Sequence, residues 1–130
     1  MMAGIEEVLA LARRVRSNAH APYSGFRVGA VLEADDGTLH VGCNVENASL
    51  GLTLCAERGA MAAAVVAGHV AFRRIVLVAD GEDPVPPCGG CRESNEPAVH
   101  PTGAPSSCCR LRRLGRLRAR GVGLALRRSR

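Results

Sequence analysis

The side chains best suited to chemistry lie in two short stretches, Thr53-Leu54-Cys55-Ala56-Glu57-Arg58 and Pro87-Cys88-Gly89-Gly90-Cys91-Arg92. Three thiolates and one carboxylate are enough for a hydrolytic zinc centre, because catalytic zinc takes three protein ligands and keeps a fourth position for water. Water on zinc ionises near pH ~7. A carboxylate outside the ligand set can then carry protons between water, substrate and leaving group. These residue types predict Cys55, Cys88 and Cys91 as ligands and Glu57 as the proton carrier.

Helix geometry is compatible with that assignment. Residues two apart on a helix point to nearly opposite sides, so Cys55 and Glu57 cannot share a metal beside a helix. They can share one beyond its first turn, where side chains lean back towards the N-terminus. Thr53 is the expected N-cap, and the positive helix end favours thiolate over thiol. Cys88 and Cys91 are expected to open a second helix, so that two helix ends face one metal. Arg58 is either a solvated helix residue or a guanidinium that offsets the net negative charge of three thiolates on zinc. The rival chemistry is a closed structural zinc site, its fourth ligand drawn from Cys43, Cys108, Cys109, His69 or His100, with Glu57 incidental.

Cys-Ala-Glu followed at a distance by Pro-Cys-Gly-Gly-Cys resembles the zinc-dependent cytidine deaminase family, whose chemistry is a general one for zinc deaminases. Cysteine as the first ligand is similar to the small, homotetrameric branch that acts on free nucleosides. Ala21-Pro22-Tyr23-Ser24-Gly25-Phe26-Arg27-Val28-Gly29-Ala30 and Gly42-Cys43-Asn44-Val45-Glu46-Asn47-Ala48-Ser49 resemble that branch too. The likeness runs from the first helix to about Arg92.

The resemblance implies one Zn2+ per subunit and hydrolysis of cytidine or deoxycytidine to the uridine product and ammonia, a step of pyrimidine salvage. It also implies substrate contacts at Phe26, Asn44, Glu46 and Ala56. On spacing alone, Asn44 and Glu46 serve equally as a polar strand end, and Phe26 as core. A deaminase of a cytosine-containing antibiotic shares the zinc motif, but the Asn44–Ser49 stretch argues for the nucleoside.

The 130 residues allow one domain with a modest core. Hydrophobic residues make up 47% of the chain, with three aromatics and no Trp. No apolar run is long enough to span a membrane, and the N-terminus lacks a signal-peptide pattern. A cytoplasmic protein is expected, where six cysteines favour metal binding over disulfides. Residues 1–93 carry net charge −3 and residues 94–130 carry +8, and every one of the seventeen basic residues is arginine.

Apolar spacing predicts a helix over 5–18, a strand from Phe26 to Ala34, a hairpin at Asp35-Asp36-Gly37 and a returning strand from Leu39 to Glu46. A central helix from Leu54 to Ala67, stopped by Gly68, and a strand from Arg74 to Asp80 follow. This is an α/β pattern. The resemblance implies a three-layer α/β/α sandwich around a mixed five-stranded sheet.

Residues 1–92 thus form a deaminase-like core, and residues 93–130 depart from it. Pro97, Pro101, Gly103 and Pro105 keep that segment irregular, and an Arg-rich run follows. The abrupt change suggests a tail out of register with the ancestral coding frame, or disordered. Its rival is a gained nucleic-acid-binding tail, disfavoured by the lack of aromatics. Loss of the last two strands would expose a sheet edge and leave an inactive or unstable remnant. Leu50 stands where the family usually has a tyrosine at a subunit contact.

Overall fold

The computed structural model describes residues 3–80, together with the backbone of two strands at 118–119 and 122–126. Helix α1 spans Ile5–Arg16 and buries Val8, Ala12 and Val15 on one stripe. Glu6 and Glu7 in its first turn and Arg13, Arg14 and Arg16 in its last complement the helix dipole. Strands β1 (Val28–Ala34) and β2 (Leu39–Cys43) form the expected hairpin. Gly37 supplies a φ of +90° in its turn, and Ala34 N–H donates to Thr38 O at 2.9 Å.

Helix α2 (Ala56–Val66) and strand β3 (Phe72–Ala79) follow. Alternation along the strands sorts two cores. Ala30 and Leu32 of β1 and Ile75 and Leu77 of β3 pack with Ala56, Ala60, Met61 and Ala64 of α2. Val31, Val76 and Val78, on the other face, pack with Val8 and Ala12 of α1. The two helices therefore cover opposite faces of the sheet, giving the expected three layers.

The sheet runs β2-β1-β3-β5-β4, with β4 at Arg118–Ala119 and β5 at Val122–Leu126. Every ladder between named strands is antiparallel, which corrects the mixed sheet expected from the resemblance. β2 and β3 do run the same way, but β1 lies between them, so they never pair. Among the described residues the one parallel contact is an isolated bridge, His20 to Val45.

The last two strands, whose loss would expose a sheet edge, are present as β4 and β5. β5 pairs with β3 from Arg74↔Leu126 to Val78↔Val122. Val122-Gly123-Leu124-Ala125-Leu126 is an apolar run long enough for a strand, a signal hidden by the glycines around it. Other features of residues 93–130, and the second helix expected at Cys88 and Cys91, lie outside the described residues.

Two glycines set the distance between layers. A Cβ on Gly29 would lie 2.2 Å from Ala12 O of α1, and one on Gly42 would lie 2.3 Å from Ala56 O and 2.4 Å from Ala60 N of α2. Backbone-to-backbone packing at Gly42 seats the first turn of α2 against the end of β2.

Candidate active site

Helix α2 begins at Ala56, and Cys55, in extended backbone (φ −73°, ψ 151°), is its N-cap. The expected cap, Thr53, is instead occupied with the preceding turn, where its Oγ1 accepts from Asn47 N–H at 3.2 Å. The delay has a physical cause. Val45 and Leu54 exchange two backbone hydrogen bonds of 2.9 Å, which hold Leu54 extended and push the helix start downstream. The same bridge marks where β2 stops short: the strand ends at Cys43, and Asn44 and Glu46 flank the bridging Val45 rather than extending the ladder.

Cys55 is a half-buried thiol beyond the first turn of α2. Arg58 Nη2 lies 3.8 Å from its Sγ and donates to Thr53 O at 2.6 Å, so the guanidinium is held against the sulfur. Glu57, in the first turn, is 7% exposed. A carboxylate there has the favourable end of the helix dipole beside it.

Of the expected ligands the described residues include one, the Cys55 sulfur at a helix N-terminus with the Arg58 guanidinium beside it, and sulfur is a donor type that zinc takes. Cys88 and Cys91 lie outside the described residues, as do Cys108, Cys109 and His100. Among the described residues no three His, Cys, Asp or Glu side chains gather as a metal-binding group.

Phe26 is not core; the residue is 39% exposed. Asn44 reaches it directly, with Nδ2 donating to Phe26 O and Oδ1 accepting from Val28 N–H, both at 2.8 Å. Glu46 Oε1 accepts from the amides of Tyr23 and Ser24 at 2.9 and 3.0 Å. Hydrogen bonds from Ser24, side chain first and then backbone, hold the Glu46 carboxyl below its ordinary range. Phe26, Asn44 and Glu46 are thus brought together around one loop. Ala56, at the first helical position, is buried against Gly42.

One cluster has no counterpart in the sequence expectations. His40 Nε2 and His69 Nδ1 are 2.9 Å apart, and His69 Nε2 lies 2.9 Å from Asp36 Oδ2. This chain ties β2 to the turn after α2 and to the β1–β2 hairpin. Burial, reinforced by His69, pushes the His40 pKa down. Hydrogen bonds from Thr38, then His69, hold Asp36 well below the usual carboxylate range. His69 is therefore engaged away from Cys55, which removes it as a natural fourth ligand. His69 is distant in sequence from Asp36 and His40, so only the hairpin turn at Asp36 was signalled locally.

Known proteins resemble this chain in sequence and fold. Residues 2–98 match the family described as cytidine and deoxycytidylate deaminase zinc-binding region. A cytidine deaminase of Sporosarcina psychrophila is 47% identical over 89 residues, covering 68% of this chain and 65% of that protein. One from Halalkalibacterium halodurans is 50% identical over 80 residues, covering 62% and 61%. The chain thus spans less than two thirds of the length of these curated relatives. The crystal structure of cytidine deaminase from Burkholderia pseudomallei superimposes with a TM-score of 0.67 at 44% identity, covering 70% of this chain and 73% of that one. That of Mycobacterium tuberculosis gives 0.64 at 36% identity, covering 70% and 74%. The matched family and the geometry at the start of α2 agree, and the chain belongs to the cytidine and deoxycytidylate deaminase zinc-binding family.

Proposed function

We propose that the chain hydrolyses cytidine and deoxycytidine to uridine and deoxyuridine with release of ammonia, as a step of pyrimidine salvage in the cytoplasm. The observation that carries this is the start of α2: a cysteine at the cap, a buried Glu57 in the first turn and Arg58 against the sulfur. Cys55, Cys88 and Cys91 would hold a zinc ion, which would supply acidified water there. Glu57 would take a proton from the attacking water as its oxygen bonds to C4 of the pyrimidine, and would deliver the proton to ring N3. Glu57 then moves the remaining hydroxyl proton to the exocyclic amine. The C4–N bond breaks, the C4 carbonyl forms, and ammonia leaves. Arg58 offsets the negative charge of the three thiolates. Phe26 packs beside the base, Ala56 lies against it, and Asn44 and Glu46 take the sugar hydroxyls.

Ammonia release from cytidine by purified protein, with zinc measured in the same sample, tests this. Glu57→Gln is expected to keep its zinc and lose at least about 10²-fold in turnover. Full turnover in that variant would remove Glu57 from its role. Zinc binding without wild-type turnover would instead indicate a closed structural site.

The active unit is proposed to be a homo-oligomer, a tetramer by likeness to the family branch. Leu50 and Leu52, 80% and 71% exposed, supply apolar surface for such a contact. Residues 93–130 are further proposed to be out of register with the ancestral frame. The charge switch supports this, as does a family match that ends at residue 98. Comparison of the gene's other frames over this segment tests it, and the absence of a family-like continuation in either would refute it.

A further inference from the structure

The loop that carries Phe26 is fastened from beneath by the two side chains assigned to the sugar. Both peptide groups of Phe26 are held by side chains: its N–H donates to Ser24 Oγ at 3.0 Å and its carbonyl accepts from Asn44 Nδ2 at 2.8 Å. Glu46 Oε1 gathers the amides of Tyr23 and Ser24 one turn earlier. Within this turn Gly25 takes a φ of +66°, a conformation a side chain rarely adopts. Phe26 is therefore an exposed aromatic ring on a fixed backbone. An exposed ring normally gains nothing from such attention, and a ring meant to receive a flat ligand gains pre-organisation.

The Glu46 carboxylate is divided. Its Oε1 accepts both backbone amides of the loop, and the Ser24 side chain also hydrogen-bonds the carboxylate. An ionised carboxylate has about four lone-pair sites, so Glu46 keeps capacity to accept from a further hydroxyl after these three bonds. Asn44 is used at both ends, its Oδ1 by Val28 N–H and its Nδ2 by Phe26 O. It keeps one amide hydrogen in reserve.

We propose that Glu46 is a positioning residue for the base as well as a contact for the sugar: its bonds to Tyr23 and Ser24 hold the turn that aims the Phe26 ring, and its remaining lone-pair capacity takes the sugar hydroxyl. The clause about the sugar rests on the deaminase function proposed above; the loop clamp does not. Asn44 completes the clamp by spanning Phe26 and Val28. Binding of the sugar and placement of the aromatic ring are thereby coupled through one carboxylate.

The test separates the clamp from a role in sugar binding alone. Amide hydrogen exchange at Tyr23 and Ser24 is measured in nucleoside-free protein, with Leu77 of β3 as a reporter of global opening. Glu46→Ala is expected to speed Tyr23 and Ser24 by about fivefold or more, the loss of one net hydrogen bond, with Leu77 unchanged. Glu46→Gln keeps an acceptor at Oε1 and is expected to restore protection. In the same variants, binding of free cytosine, which has no sugar, is expected to weaken in Glu46→Ala and recover in Glu46→Gln. Unchanged exchange at Tyr23 and Ser24 in Glu46→Ala would overturn the proposal, as would cytosine binding equal to wild type. Protected amides in a wild-type protein that deaminates no cytidine would uphold the clamp and overturn the deaminase assignment.

Discussion

Arg58 shows how a single side chain can be worth more than its charge. Its Nη2 touches both Thr53 O and Cys55 Sγ, so the cation is fixed by the backbone before it meets the sulfur. Removing a group that orients a ligand costs ~10–100-fold in metal affinity. Arg58→Ala is therefore expected to release zinc to a competing chelator at roughly tenfold lower chelator concentration. Equal retention in the two proteins would make Arg58 a bystander. That Cys55, Glu57 and Arg58 share one helix start was legible in the sequence, because the three lie within four residues of one another. The cap was misread by two residues: local chemistry favours Thr53, but the bridge between Val45 and Leu54, invisible in local sequence, outweighs it.

The join between β2 and α2 is where element geometry governs the site. Gly42 is the only residue type that lets Ala56 O and Ala60 N approach this closely. Glycine inside a strand pattern signals such an approach, so this contact could have been foreseen. Overpacking costs ~1–3 kcal/mol, and both neighbours here are backbone. Gly42→Ala is expected to lose at least about 2 kcal/mol in urea unfolding and to lower zinc content along with turnover. A stable variant with normal zinc would show that α2 can shift without disturbing Cys55.

The histidine chain at the other end of the same two elements gives a pH dependence. Folding lowers the His40 pKa from 6.5, so below pH 6.5 the unfolded chain binds a proton that the folded chain does not. Stability is complete above 6.5 and is lost as pH falls towards the depressed folded value. No ionisable residue lies on α2 between Arg58 and His69, and Glu33 pairs with Arg74 on the opposite face. His69 and Asp36 thus dominate the field at His40. Thermal midpoints are expected to fall between pH 7.5 and 5.5, with a shallower slope in His40→Gln. Equal slopes would assign the pH dependence to other groups.

For the whole molecule, the decisive question is what closes the sheet. The layers, the hairpin and the central strand were legible because alternation and helical spacing report directly on burial. The far side of β3 was not, since an arginine-rich, glycine-punctuated segment gives little local preference for any element. Yet β5 pairs with β3 at five registered positions, and β4 in turn pairs with β5. Without them β3, whose Ile75, Val76, Leu77 and Val78 are buried, would present open N–H and C=O groups at the edge of an apolar strand, which is a template for pairing with another chain. Net worth per backbone hydrogen bond is ~0.5–1.5 kcal/mol, partly offset by the entropy of ordering the tail. Truncation after residue 117 is therefore expected to cost on the order of 2 kcal/mol, or about 6–12 °C in thermal midpoint for a chain of this size. It should also produce association that grows with protein concentration, measured by light scattering. The two readouts separate causes: a lower midpoint with no association would mean that β3 is shielded by something other than β5, and an unchanged midpoint would mean that the tail strands add nothing to the fold.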